Sequence, residues 1–230
     1  MTAPNTVHTA HERLLGPAFD TLMPGLVLIG APSAVGKTCL SLNLAAHFAG
    51  HLREPVLYFS PGSPKEVVLA RLAKNMTADG EAVDVGIVAD VPLVVVDTPD
   101  PSSQSLVEVA TSYVEQHGQP ALVLVNDLQN LHPAKEGLSG LSAAVEILAD
   151  LRAIAKLTDA PVAVFSQLTP GKEVASAVAE LADRVVMLSL EGETATHKQV
   201  GVAFFDPPEP ETERYELSLT RETGVMGMNG

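Results

Sequence analysis

The chain has 230 residues, of which 46% are apolar and 18% charged, and its formal charge is −14. A chain of this length and apolar content can bury the core of one domain, which excludes intrinsic disorder. The acidic balance argues against a broad basic surface for nucleic acid, and the single cysteine, Cys39, excludes an intrachain disulfide. No apolar run reaches the about 18 residues of a membrane span, and residues 1–16 lack the apolar segment of a secretion signal. We therefore expect a cytoplasmic protein without a membrane partner.

Short apolar segments alternate with helical patterns along the first three quarters of the chain. The segments are apolar nearly throughout and are bounded by Pro, Gly or Asp, which is typical of strands buried on both faces of a parallel sheet. The predicted strands are residues 26–29, 56–60, 93–96, 122–125 and 162–165. The predicted helices are residues 38–48, which we expect Gly50 to end, and residues 64–75, 105–116 and 141–157. This alternation predicts a three-layer α/β domain.

The last third of the chain has strand patterns without long helices between them. Residues 185–190, 200–205 and 215–220 predict antiparallel strands added at one edge of the sheet. Residues 206–210, Asp-Pro-Pro-Glu-Pro, predict a loop, because no central strand holds so much proline. We expect a flexible segment at residues 1–16, one domain at 17–225 and a loose end at 226–230.

The clearest chemical motif is a phosphate-binding loop (Walker A) at residues 31–38, Ala-Pro-Ser-Ala-Val-Gly-Lys-Thr. A buried strand precedes it and a helix follows it, so main-chain N–H groups and the helix N-terminus would face a phosphate. We expect Lys37 to contact the β- and γ-phosphates and the Thr38 hydroxyl to bind Mg²⁺. The motif therefore predicts ATP and Mg²⁺ as ligands. For Cys39, which follows directly inside the helix, packing is the ordinary role and a redox role is the alternative. The predicted nucleotide-binding residues are Pro32, Ser33, Ala34, Val35, Gly36, Lys37, Thr38 and Cys39.

Five segments in this order resemble the C-terminal RecA-like ATPase domain of DnaB-type replicative helicases. They are residues 31–38, 56–60, 95–99, 124–129 and 151–168, and the resemblance extends over about residues 20–225. It implies a RecA-like P-loop NTPase fold, with a mostly parallel central sheet, and a homo-oligomer that forms a hexameric ring or a filament. In such a ring, ATP lies between subunits and single-stranded DNA passes through the centre.

The resemblance also assigns site residues. Gln167, at the end of the last parallel strand, matches a polar sensor that links the γ-phosphate to the DNA loops. Arg221 matches a basic residue that reaches the γ-phosphate of a neighbouring subunit, whereas Leu219 stands where the family has a second basic residue. The alternative for Arg221 is an ordinary surface arginine on an edge strand.

Two residues compete for the metal-side acid after the strand at 122–125. Asn126 occupies the family position but lacks the charge that helps to hold Mg²⁺. Asp127 follows directly and could serve after a shift of one residue, and it is the preferred candidate; its alternative role is to cap a turn.

The chain departs from the family at the catalytic base. Gly62 stands where the family has a glutamate, and a glycine can neither orient nor deprotonate water. Glu66 lies a turn into the following helix and fits better as a charge at its N-terminus. We therefore expect firm nucleotide binding and slow hydrolysis, with Lys37, Asp127, Gln167 and Arg221 as catalytic groups and no assigned base.

The two loops that would face DNA carry little positive charge. The first, residues 131–140, contains Lys135, and the second, residues 169–182, contains Lys172. Rings of such lysines could track a phosphate backbone, but one lysine per loop is also ordinary for a solvated loop.

The sequence thus predicts a helicase-like ATPase of DNA replication or recombination. Two alternatives stay open. One is a nucleotide-gated interaction protein that assembles with itself or with a helicase without unwinding DNA. The other is a signalling ATPase of the circadian-clock type on the same fold.

Overall fold

The computed structural model describes residues 19, 22–77, 85–167, 180–206 and 211–228. Four α-helices lie in this part of the chain: α1 Lys37–Ala45, α2 Lys65–Met76, α3 Ser103–His117 and α4 Gly140–Thr158. The strands of the parallel region are β1 Gly25–Ala31, β2 Val56–Phe59, β3 Leu93–Val96, β4 Leu122–Asn126 and β5 Pro161–Gln167. The remaining strands are β6 Arg184–Glu193, β7 His197–Phe205, β8 Glu211–Thr220 and β9 Met226–Met228. Short 3₁₀ turns lie at Val85–Val88 and Leu128–Asn130.

The nine strands form one sheet in the order β3-β2-β4-β5-β1-β6-β7-β8-β9. Neighbouring strands from β3 to β6 pair in parallel, and those from β6 to β9 pair antiparallel. The predicted fold class, a three-layer α/β domain with antiparallel strands at its C-terminal edge, is confirmed. The prediction differs for β6, which was expected to be antiparallel: it pairs in parallel with β1 and antiparallel with β7. The first five strands lie within two residues of their predicted bounds.

The sheet separates two hydrophobic clusters, because successive side chains of each strand point to opposite faces. In β1, Val27 and Ile29 belong to the cluster that includes α1 and α2, whereas Leu26 and Leu28 belong to the cluster that includes α3 and α4. All four side chains are buried. Burial on both faces explains why uninterrupted apolar runs predicted these parallel strands.

The first helix is longer than predicted. α1 continues as a π-helix over Ala46–Leu52, which ends at Arg53 in the left-handed conformation with φ 60°. Gly50 therefore does not end the helix, and that prediction is wrong. A Cβ added to Gly50 would lie 2.7 Å from the Met76 Cε atom, so the glycine allows the end of α2 to pack closely against this segment.

The prediction of a loose end at residues 226–230 is wrong for 226–228. These residues form β9, which pairs with β8, and Met226 is fully buried. The segment 1–16 and residues 207–210 of the predicted proline-rich loop lie outside the described residues. None of the described helices is both long and apolar enough to cross a membrane.

Candidate nucleotide-binding site

The phosphate-binding loop joins the end of β1 to the start of α1. Ala34 and Gly36 both have positive φ, at 64° and 130°. A Cβ at position 36 would also lie 2.8 Å from Met226 Cε and 3.1 Å from Leu219 Cδ2, so these two side chains would have to shift. In the described part of the chain no side chain caps the N-terminus of α1 at Gly36, so the first-turn N–H groups of this helix remain available for an anion.

Lys37 lies over the loop that it follows. Its Nζ donates hydrogen bonds to the carbonyl oxygens of Ala31 at 3.3 Å and Pro32 at 3.4 Å. The ammonium is therefore held beside the main-chain N–H groups that a phosphate would contact. Its position fits the predicted contact with a phosphate chain.

A cavity of about 530 Å³ opens above the loop and the first turn of α1, within the usual volume range of ligand pockets. It brings together most of the predicted nucleotide-binding residues with Asp127, Gln167 and Arg221. Pro32, Val35 and Asn126 do not line it; the Val35 side chain is buried in the core, and Pro32 contributes its carbonyl oxygen to Lys37. The lining residues are Ser33, Ala34, Gly36, Lys37, Thr38, Cys39, Asp127, Gln167, Lys198, Leu219, Thr220, Arg221 and Gly224.

Asp127 carries an unsatisfied carboxylate oxygen at this cavity. Its Oδ1 atom is buried and has no hydrogen-bond partner among the described residues. Burial raises the pKa of the Asp127 carboxyl, and the positive charge of Lys37 partly opposes this shift. A buried oxygen without a partner, beside a threonine hydroxyl and a phosphate site, fits the donor set that Mg²⁺ prefers in nucleotide complexes.

Asn126 points elsewhere. It ends β4, and its side chain hydrogen-bonds the Tyr58 hydroxyl, which lies 2.7 Å from the Ser41 hydroxyl beneath α1. The peptide bond between Asn126 and Asp127 is cis. The position of these side chains favours Asp127 over Asn126 as the metal-side acid. Within the described residues, no group of three or more His, Cys, Asp or Glu side chains could hold a metal ion alone, so Mg²⁺ here would depend on phosphate oxygens as well.

Gln167 lies at the carboxyl end of β5 and lines the same cavity as Asp127. A residue that the sequence analysis did not assign holds this strand end in place. Gln129 accepts a hydrogen bond from the Gln167 main-chain N–H at 3.0 Å and donates one to the Ser166 hydroxyl at 2.9 Å. Gln129 lies in the family-like segment 124–129, which was the available signal.

The C-terminal strands supply the other wall. Arg221 lies on the rim of its own chain's cavity and forms an ion pair with Glu193, so its predicted contact with a neighbouring subunit stays a prediction. Lys198, which the sequence analysis also missed, lines the same cavity. Three basic side chains (Lys37, Lys198 and Arg221) and one acidic side chain line the cavity, in a chain of net charge −14. With Arg221 paired to Glu193, the two lysines still outnumber the single carboxylate. A positive cavity in an acidic protein favours an anionic ligand.

The remaining predicted positions lie away from the cavity. Lys135 is exposed, and its main-chain N–H donates to the Glu146 carboxylate at 3.1 Å. Lys172 lies outside the described residues. Gly62 contacts the side chain of Asn130: a Cβ added to Gly62 would lie 2.5 Å from Asn130 Nδ2. The position at which the family has its catalytic glutamate has no carboxylate here, because the residue is glycine.

The chain is similar in sequence to known replicative helicases. The model of the DnaB-like helicase C terminal domain family matches residues 15–183. The replicative DNA helicase DnaB of Synechocystis sp. is 28% identical over 194 residues, which cover 71% of this chain and 22% of that protein. The chain thus spans less than a quarter of the length of that curated relative.

Two solved structures share the fold. One is an isolated ATPase domain, which superposes with a TM-score of 0.74 at 20% identity, covering 90% of this chain and 85% of that chain. The other is a DnaB-like replicative helicase, whose structure was described together with its interactions with primase. It gives a TM-score of 0.75 at 19% identity, covering 90% of this chain and 59% of that chain.

The family match ends at residue 183, and β6 begins at Arg184. Lys198, Leu219 and Arg221 therefore lie beyond the matched segment, although they line the same cavity as the phosphate-binding loop. The matched segment itself covers most of the chain and contains the loop, Asp127 and Gln167. The chain belongs to the DnaB-like helicase C-terminal domain family.

Proposed function

We propose that this protein binds ATP with Mg²⁺ in the described cavity and works as an oligomeric, slowly hydrolysing motor domain in DNA replication or recombination. The observation that carries the proposal is the convergence of the phosphate-binding loop, Asp127 and Gln167 on one positive cavity of about 530 Å³. The family membership supports a helicase-related role, and the ring or filament is carried over from the family resemblance.

Four side chains of the cavity have roles in this proposal. The N–H groups of the loop and of the first turn of α1 bind phosphate oxygens, and Lys37 exchanges its carbonyl partners for the β- and γ-phosphates. Thr38 and Asp127 would hold Mg²⁺, which neutralises phosphate charge when bound. Gln167 contacts the γ-phosphate, and so links the presence of this phosphate to β5 and to the segment that follows.

Hydrolysis is expected to be slow. Asp127 is the one carboxylate among the described residues that line the cavity, and its role on the metal leaves no base for water. Loss of an aligned acid–base group costs about 10²–10⁴ in rate. Binding depends instead on the loop and Lys37, which are present, so binding and hydrolysis are separable in this chain.

A second candidate is a nucleotide-gated interaction protein without helicase activity. The glycine at position 62 favours it, because the cavity then lacks the family's catalytic carboxylate. The exposed Lys135 as the single lysine of the loop at 131–140 favours it too, since one lysine provides a weak DNA contact. Both candidates require nucleotide binding and differ in whether DNA is bound.

Titration calorimetry with ATP and Mg²⁺ tests the shared part of the proposal. Lys37→Ala should weaken ATP binding by about 10- to 100-fold, because a charge-assisted contact contributes about 1.5–3 kcal/mol. Lys156→Ala is the matched control: it removes one exposed lysine of α4 that does not line the cavity. Equal ATP affinity of the Lys37→Ala and Lys156→Ala proteins would contradict the proposal.

Mass measurement by light scattering then separates the two candidates. The motor domain should form larger assemblies with ATP and bind a short single-stranded oligonucleotide. An interaction protein should assemble with ATP and leave the oligonucleotide free. A monomer under all conditions would contradict the oligomeric part of both.

A further inference from the structure

We propose that Lys198 is a second phosphate-binding lysine of the cavity, supplied by the same chain's C-terminal strands to a nucleoside di- or triphosphate. This inference rests on the proposed nucleotide-binding function and adds a residue from beyond the family match. Lys198 is the second residue of β7, and the phosphate-binding loop lies more than 160 positions earlier in the chain.

The Lys198 side chain reaches the tip of the phosphate-binding loop. Its Nζ donates a hydrogen bond of 2.6 Å to the carbonyl oxygen of Ala34, the residue with φ 64° in the middle of the loop. Lys198 and Lys37 therefore approach the same loop, Lys37 from its end and Lys198 from its tip. Both line the one cavity.

Strand register explains why the lysine points to the loop. Lys198 pairs with Leu219 across the antiparallel β7–β8 ladder, so the two side chains lie on the same face of the sheet. Leu219 is buried on that face, where its Cδ2 atom lies against Gly36. The Lys198 side chain lies next to this contact and extends along the loop to the carbonyl oxygen of Ala34.

The charge environment favours an anion as the partner of Lys198. Among the described residues Lys198 has a carbonyl oxygen as its hydrogen-bond acceptor and forms no ion pair with a carboxylate. Burial raises the pKa of the Cys39 thiol, in the first turn of α1, and the positive charge of Lys198 acts in the opposite direction. The Lys198 charge is therefore felt at the start of this helix. A phosphate oxygen is a stronger acceptor for an ammonium than a neutral carbonyl, so exchange of partners on nucleotide binding is favourable.

Four variants test the proposal by titration with ATP, ADP and inorganic tripolyphosphate. Lys198→Met removes charge and hydrogen bond, Lys198→Gln keeps a neutral donor for the Ala34 carbonyl, and Lys198→Arg keeps the charge. Lys156→Met is the matched control on α4. We expect about tenfold weaker ATP and tripolyphosphate binding for the Met and Gln variants, a smaller loss for ADP, and near wild-type binding for the Arg and control variants.

The outcomes separate this inference from the proposed function. If Lys37→Ala weakens ATP binding while Lys198→Met binds ATP within twofold of wild type, the inference is wrong and the proposed function stands. A second outcome is that Lys198→Gln binds ATP like wild type, whereas Lys198→Met binds it more weakly and unfolds at lower temperature without nucleotide. Lys198 would then only stabilise the loop, and the inference is wrong. If the wild-type protein binds none of the three ligands, the proposed function fails and the inference fails with it.

Discussion

The side-chain amide of Asn130 lies where a side chain at position 62 would begin: a Cβ added to Gly62 would be 2.5 Å from Asn130 Nδ2. Asn130 ends the 3₁₀ turn that follows Asp127, so the segments that follow the neighbouring strands β2 and β4 approach each other here. Asn130 is exposed, and the contact involves the far end of its side chain, which can turn away. Position 62 can therefore accept a larger residue.

Gly62→Glu is predicted to raise ATP hydrolysis without impairing folding. A carboxylate at the family's catalytic position would orient water, an effect of about 10²-fold in rate at the lower end of acid–base catalysis. Combining it with Asn130→Ala should raise the rate further, because the glutamate then has free space. Phosphate release in single-turnover assays provides the measurement. Gly62→Gln, of similar size without the charge, is the control, and equal rates for the Glu and Gln variants would contradict the prediction.

Asp127→Asn should weaken the Mg²⁺-dependent part of ATP affinity while leaving metal-free ATP binding close to wild type. The reason is that Asp127 offers the one carboxylate among the described residues that line the cavity, whereas the loop and Lys37 bind phosphate without it. Calorimetric titrations with Mg²⁺ and with a chelator measure both quantities. Asn126→Asp is the companion variant; if it, rather than Asp127→Asn, changes the Mg²⁺ dependence, the assignment of Asp127 is wrong.

The stability of the nucleotide-free protein should depend on the charge of Asp127. Burial raises the pKa of this carboxyl above its ordinary value of 3.8, so the folded state takes up its proton more readily than the unfolded chain. The free energy of unfolding therefore falls as the pH rises from about the ordinary value through the raised pKa. Asp127→Asn removes the ionisable group, so its free energy of unfolding should not fall with pH for this reason. Its Tm should exceed that of wild type at pH 7 and approach it near pH 4; a pH-independent difference would contradict the prediction.

Cys39 provides a single-site probe of cavity occupancy, because it is the chain's one cysteine and it lines the cavity. Burial raises the pKa of its thiol above the ordinary value of 9.0, so alkylation should be slow at pH 7 and should still be rising with pH at 9. ATP with Mg²⁺ at about 100 times its Kd should slow alkylation by about 100-fold, in proportion to the empty fraction. Lys37→Ala should lose this protection. Unchanged alkylation of the wild-type protein with ATP would show that the nucleotide does not enter this cavity.

Single-stranded DNA binding, if this chain works as a motor, should be weak and steeply dependent on salt. The slope of log affinity against log salt falls by about 0.7 for each phosphate contact removed from a single strand. Lys135→Ala should flatten the slope by that amount relative to Lys156→Ala, since Lys135 is exposed in a loop that follows β4. If the protein does not bind the single strand even at low salt, the interaction-protein alternative is favoured.

The parallel part of the fold was predictable because its strands are buried on both faces. β4 shows why: the residues from Leu122 to Val125 are all fully buried, and burial on both faces favours an uninterrupted apolar run. The phosphate-binding loop was predictable for a similar reason. Its geometry depends on a local pattern, with Gly36 at φ 130° and Lys37 and Thr38 directly after it.

The C-terminal part was less predictable because tertiary contacts determine it. β9 is a three-residue strand that pairs with β8 and also binds the buried Asn43 side chain. Asn43 Nδ2 donates to the Gly224 carbonyl at 2.8 Å, and its Oδ1 accepts from the Met226 N–H at 3.0 Å. Nothing in the local sequence around Met226 indicates this partner on α1. The contact of Lys198 with Ala34 likewise joins residues far apart in sequence, so local patterns could not reveal it.

The most direct test is a crystal structure of the protein with a non-hydrolysable ATP analogue and Mg²⁺. We expect the triphosphate along residues 33–38, with Lys37 and Lys198 on phosphate oxygens and Mg²⁺ between Thr38 and Asp127. A cavity that stays empty at saturating analogue, with both lysines still on the loop carbonyls of Ala31 and Ala34, would contradict the proposed nucleotide-binding function.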